Sequence, residues 1–133
     1  MGKRLIQQRR GRGTMTYRSP SFRFQGKVKH YNLETVGKVM DIIHCQGHSA
    51  PLIEVEYLTG TKGLSFAPEG IKVGDEIGIG TSEELKAGSV FSLKDIPEGT
   101  LVHNLELRPG DGGKLVRASG SFAKIVAKTE KAV

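Results

Sequence analysis

Tryptophan is absent from this 133-residue sequence, cysteine occurs once, and aromatic residues make up only 6% of it. A lone Cys45 can close no internal disulfide, which agrees with a reducing compartment. No stretch approaches the ~20 apolar residues that a membrane-spanning helix needs. No apolar segment follows Lys3 and Arg4, so the basic start does not read as a secretory signal. The sequence reads as that of a soluble intracellular protein. With 37% hydrophobic residues it has material for one ordinary core or two very small ones, which argues against a large enzyme fold.

The most informative shortage is of acid. No Asp or Glu precedes Glu34, while the same stretch carries nine cations: Lys3, Arg4, Arg9, Arg10, Arg12, Arg18, Arg23, Lys27 and Lys29. The other 100 residues keep eleven of the 20 basic side chains against all 14 carboxylates, so the formal +6 is a property of the leading segment rather than of the fold. Such a segment repels itself and orders most readily on a polyanion. It has no apolar face to lay in a membrane, which leaves nucleic acid. Arg and Lys on a Gly-containing backbone neutralise phosphates, and Tyr17, Phe22 and Phe24 among Arg18 and Arg23 allow bases to stack. A solubilising tail, or the start of a sheet led by Phe22 and Phe24, is the plainer alternative. Residues 1–34 are therefore read as an extended basic RNA-binding arm, without regular structure until bound. RNA is preferred over DNA only because no groove-reading helix is apparent.

What is plentiful is glycine, 18 residues of it, with short β-branched runs between turn formers. These predict strands at Val36–His44, Leu52–Leu58, Gly63–Ala67, Glu76–Ile79 and Val90–Leu93, and a helix of a turn or two at Ser82–Lys86. Five short strands suit a small oligonucleotide-binding (OB) barrel over 35–95. Residues 96–133 begin a second unit, with strands at Leu101–Leu107 and Ser121–Lys128 joined through Arg108–Lys114. Two strands do not close a barrel, so this unit is expected to be completed by further chain or by a partner.

The loop Pro109–Lys114 resembles a phosphate cradle, with glycines exposing backbone N–H groups and Lys114, Arg108 and Arg117 adding charge; a plain turn fits as well. It is no P-loop, because Arg108 stands where the first Gly belongs and Leu115 where Ser or Thr follows the Lys. Gly78-Ile79-Gly80 fails as a dinucleotide fingerprint, with Glu83 at the third Gly position. His30, His44, Cys45 and His48 invite a zinc site or Cys-His catalysis. Yet neighbours on a strand point to opposite faces, and nothing nearby supplies an orienting carboxylate with any specificity. Glu54, Glu56, Asp75 and Glu76 read as strand-edge and turn residues. No metal, cofactor or catalytic residue is expected.

Several ordered stretches carry a family resemblance: Met-Gly-Lys-Arg at the start, Arg-Gly-Arg-Gly at 10–13, and Thr16-Tyr17-Arg18-Ser19-Pro20-Ser21. Ala67-Pro68-Glu69-Gly70-Ile71-Lys72-Val73-Gly74-Asp75 follows, then Ile96-Pro97-Glu98-Gly99-Thr100, His103-Asn104-Leu105-Glu106-Leu107, Pro109 to Lys114, and Arg117-Ala118-Ser119-Gly120. Together they resemble the archaeal and eukaryotic type of the universal large-subunit ribosomal protein two family, in its N-terminal portion. The resemblance implies an OB barrel followed by an SH3-like barrel, of which 96–133 would be the first strands, with tails threading into rRNA. It further implies a cytoplasmic, ribosome-bound structural protein with rRNA and neighbouring large-subunit proteins as partners. Support of the peptidyl-transferase region, subunit association and tRNA binding belong to the same implication, with no catalysis by the protein itself. The family continues past this sequence with the rest of the second barrel and a basic extension. The His44–Pro51 segment departs from the acidic or polar loop expected there.

The expected contact residues are thus the nine arm cations with Tyr17, Phe22 and Phe24, and a second patch of Arg108, Lys114 and Arg117. The rival reading is a free-standing single-stranded nucleic-acid-binding OB protein, which asks for aromatic platforms where only Phe66 and Phe91 are on offer. An enzyme on phosphorylated substrates would need an acid, base or metal set that the sequence lacks.

Overall fold

Period-two burial organises the first half of the chain. The computed structural model describes residues 2–3, 5–80 and 85–129. Strand β1 (Thr35–Ile43) buries Thr35, Gly37 and Val39 and exposes Lys38 and Met40, as alternating faces require. Between Val39 and Asp41 its register with β2 (Leu52–Tyr57) slips by a residue, a bulge that ends the clean alternation. Strand β3 (Lys62–Phe66) pairs with β2 and β4 (Glu76–Ile79) pairs with β1, all antiparallel, giving the order β3-β2-β1-β4. The predicted bounds of these four strands hold to within a residue or so.

Strand β2 is buried on both faces, which is why Leu52 and Ile53 are both fully enclosed although they point oppositely. Ile53, Val55 and Tyr57 join Val39, Ile77 and Ile79 in one cluster. Leu52 joins Phe66, Cys45, Ala50 and Val28 in the other. Val28 comes from the segment read as a free arm, yet it is only 5% exposed. Tyr31 likewise stacks on Tyr57, with centroids 4.4 Å apart, and its hydroxyl accepts a bond from Thr61 at 3.0 Å. Packing therefore begins before residue 30, within the segment expected to be arm.

Three expectations need correction. The arm is not wholly irregular: α1 (Ile6–Arg10) and a 3-10 turn at Ser21–Arg23 form in it, although α1 buries no residue and has no side-chain cap. The strand expected at Val90–Leu93 reduces to a parallel bridge of Val90 with Ile79, because a turn from Ser92 to Asp95 leads the chain away. The strands expected at Leu101–Leu107 and Ser121–Lys128 reduce to β5 (Leu101–Val102) and β6 (Ala123–Lys124). Asn104 and Val116 both take left-handed backbone angles, φ 52° and 56°, which break extended chain on either side of the Leu105–Leu115 bridge. Of the predicted Ser82–Lys86 helix, residues 82–84 lie outside the described residues; Leu85 and Lys86 are not helical. Strands still far outweigh helix, and the fold is all-β.

Candidate nucleic-acid interface

Arg and Lys act on a polyanion only where their charges are not already spent within the protein. Lys3, Arg9, Arg10, Arg12, Arg18, Arg23, Lys27 and Lys29 are all exposed, and among the described residues none of them pairs with a carboxylate; Arg4 lies outside the described residues. The aromatic residues of the arm stand beside these cations. The Arg10 guanidinium lies 5.7 Å from the centroid of Tyr17 and that of Arg23 lies 5.4 Å from Phe22, which is 82% exposed. Cation and π-face are thus presented to solvent together, the combination that holds phosphate and base at once.

Where the arm meets the body it forms one wall of an open cleft of about 380 Å³. Phe24, Lys27, Val28 and Lys29 make that wall; Gly47 and His48 make the floor; Asp111, Gly113, Lys114 and Arg117 close the far side. Two glycines permit the approach. A Cβ on Gly47 would sit 3.1 Å from the Phe24 ring, and one on Gly112 would sit 3.1 Å from the Lys29 side chain. Ser119 donates its N–H to Ser49 Oγ at 3.1 Å, which ties the far side to the floor.

The cleft therefore gathers Lys27 and Lys29 from the arm with Lys114 and Arg117, four cations from segments some 85 residues apart in sequence, against a single acid. That acid, Asp111, is engaged by Lys114 Nζ at 3.2 Å. The Arg117 guanidinium lies 5.0 Å over the buried Phe66 ring, and its Nε is buried without a hydrogen-bond partner among the described residues. His48 packs edge-on against the same Phe66 and shares a 3.2 Å contact between its Nδ1 and Cys45 Sγ. Burial, and then the charge of Arg117, hold the His48 imidazole below its ordinary pKa, so it is neutral at neutral pH.

Not every expected residue joins this group. Arg108 borders a different and larger cavity of about 750 Å³, alongside Glu34, His103 and Leu107, so the expected trio of Arg108, Lys114 and Arg117 divides. The glycine loop is also no phosphate cradle. Gly110 and Gly112 donate their N–H groups to the Glu106 carboxylate at 3.0 and 2.7 Å, Asp111 N–H goes to the Arg108 carbonyl and Lys114 N–H to that of Leu105. The anion that this nest holds is the protein's own.

Sequence reasoning missed His48 and Gly47 as cleft residues. The available signal was Val28, an apolar residue between two lysines that marks an anchoring point rather than free arm. As for metal, Cys45 and His48 meet across a turn closed by the His48 N–H on the Cys45 carbonyl, and among the described residues no third ligand gathers with them.

Known proteins resemble this chain closely. The family model for Ribosomal Proteins L2, C-terminal domain, matches residues 86–133. The chain is 47% identical over 141 aligned residues to large ribosomal subunit protein uL2 of Methanothermobacter thermautotrophicus, an alignment that takes in 100% of this chain and 58% of the relative. The uL2 proteins of Methanococcus vannielii and Methanocaldococcus jannaschii are 52% and 50% identical over 96% and 95% of this chain. The chain spans a little over half the length of these relatives, 55 to 58%. Identity of this order, sustained from the basic arm through the glycine loop, places the chain in the ribosomal protein L2 family.

Proposed function

We propose that this chain is a structural constituent of the large ribosomal subunit and binds large-subunit rRNA through its arm and its basic cleft. The observation that carries the reading is the convergence of Lys27, Lys29, Lys114 and Arg117 on one open cleft, continuous with an arm whose described cations pair with no carboxylate among the described residues. Phosphates enter such a site by displacing counterions, which supplies affinity without a sequence code. The aromatic groups Tyr17, Phe22 and Phe24 accept stacked bases beside those phosphates. In this reading the chain supports assembly of the peptidyl-transferase region, subunit association and tRNA binding with no chemistry of its own, alongside neighbouring large-subunit proteins. The four-stranded sheet corresponds to the OB unit of 35–95 and the β5–β6 pair to the start of an SH3-like unit at 96–133. Arg108 is a peripheral contact rather than part of the cleft.

Affinity for large-subunit rRNA of Methanococcus vannielii, measured against salt, tests this. Removing residues 1–23 deletes seven cations and spares Val28 and Tyr31. The log–log salt slope should then fall by up to about 5, at about 0.7 per contacted phosphate on single-stranded segments, while far-UV circular dichroism keeps its β signature. An unchanged slope would remove the arm from the interface. Unchanged affinity on replacing Lys27, Lys29 and Lys114 together by Gln would remove the cleft.

A further inference from the structure

The cleft holds one imidazole among its permanently charged side chains, that of His48. Its ring stands on the floor, half-buried, with Cys45 Sγ against Nδ1 and Phe66 against its edge. Other charged or titratable groups face it from every side of the cleft: Lys27 and Lys29 from the arm, Asp111, Lys114 and Arg117 from the far side, and Cys45 within its own turn. The acid is already engaged by Lys114, so the surroundings of His48 are net cationic while the cleft is empty. Nδ1 is occupied by Cys45, which leaves Nε2 as the ring atom able to address an incoming anion.

We propose that anion binding in this cleft is proton-linked through His48: the ring is neutral in the free protein and becomes an imidazolium that donates Nε2–H to a phosphate oxygen. The proposal deepens the rRNA-binding reading and rests on it for the identity of the natural anion. The reason is electrostatic. An empty cleft penalises a further positive charge, from burial first and from Arg117 second. A bound phosphate reverses the sign of the local field and rewards that charge. Protonation does not disrupt the floor, because an imidazolium Nδ1–H still donates to the Cys45 sulfur, a weak acceptor in the thiol form. Proton balance follows: each anion bound takes up one proton from solvent, to a fraction set by pH. The cleft thus gains a fifth cation only when it is filled.

Two measurements on the full chain test it separately from the parent reading. The first is the NMR titration of the His48 imidazole, with and without inorganic phosphate. Its midpoint should move upward with phosphate. An unmoved His48 midpoint at saturating phosphate overturns the proposal. The second is affinity for Methanococcus vannielii large-subunit rRNA at pH 8.0 and 5.5 at constant ionic strength. Wild type should bind about three- to fivefold tighter at the lower pH, the range of one partly exposed ion pair. His48→Gln should lose that gain, its ratio of affinities between pH 5.5 and 8.0 falling toward one whatever its affinity at pH 8.0. His48→Arg, with its charge locked, should bind with the tighter affinity at both values. A gain that survives in both variants also overturns the proposal. Loss of rRNA binding at every pH, with the phosphate-dependent NMR shift intact, would instead fault the choice of RNA as the natural anion.

Discussion

Two glycines of the sheet do opposite jobs, and substitutions separate them. Gly37 has ordinary strand geometry, and a Cβ there would lie 2.5 Å from Val55 Cγ1 and 2.8 Å from Tyr57 Cδ1. Both neighbours are buried in the larger core cluster and cannot withdraw, so Gly37→Ala should cost about 1–3 kcal/mol of overpacking. Gly60, at the tip of the β2–β3 hairpin, has open space around it but φ +77°, so Gly60→Ala costs only backbone strain of about 1–2 kcal/mol. Asn tolerates that conformation, so Gly60→Asn should recover most of the loss in urea unfolding, whereas Gly37→Asn should be worse than Gly37→Ala. Equal losses for the two Asn variants would refute the distinction. The same close approach gives Tyr57 its place beneath Tyr31, whose hydroxyl the Thr59 and Thr61 side chains hold below its ordinary pKa.

Among elements, the glycine loop illustrates a reversal that composition conceals. Three glycines and a lysine promise an anion site, but Glu106, placed just before the loop, reaches forward and fills it. Glu106→Gln keeps the shape and one acceptor while turning an NH₂ toward the other backbone N–H. We expect a loss of about 1 kcal/mol in denaturant unfolding and faster amide exchange at Gly112 in particular, the more buried of the two. Exchange at Gly112 as slow as in wild type would place the anchor elsewhere. Strands β1 to β4 were legible because each is a short β-branched or apolar run of four to nine residues bounded by turn formers. The second unit was not, because its extended runs are interrupted by left-handed Asn104 and Val116, residue types that give no local warning in the Val case. Lys114 and Arg117 were legible as a basic patch. Their meeting with Lys27 and Lys29 was not, since it depends on Val28 and Phe24 docking against residues far along the chain.

For the molecule as a whole, the junction between arm root and second unit should make stability fall in mild acid. His30 donates Nε2–H to the Asn104 carbonyl at 2.7 Å, fixing the chain just beyond Val28 to the β5 end of the second unit. His103, next to that carbonyl, has its pKa held below 6.5, by burial first and by the proximity of His30 second. A histidine harder to protonate in the folded than in the unfolded chain binds fewer protons when folded. Above about pH 6.5 the ring is neutral in both states and costs nothing; as pH falls below that value the unfolded chain takes up the proton first, and folding stability declines until the folded-state value is passed. His48 adds a decline of the same sign, its pKa being depressed likewise. Carboxylates titrate mostly below about pH 5, so a window from about pH 6.5 to 5 isolates the histidines. Thermal unfolding across that window should show Tm dropping in wild type, dropping less in His103→Asn, and least in His103→Asn combined with His48→Gln. A decline of equal depth in all three proteins would mean that neither imidazole is buried as described.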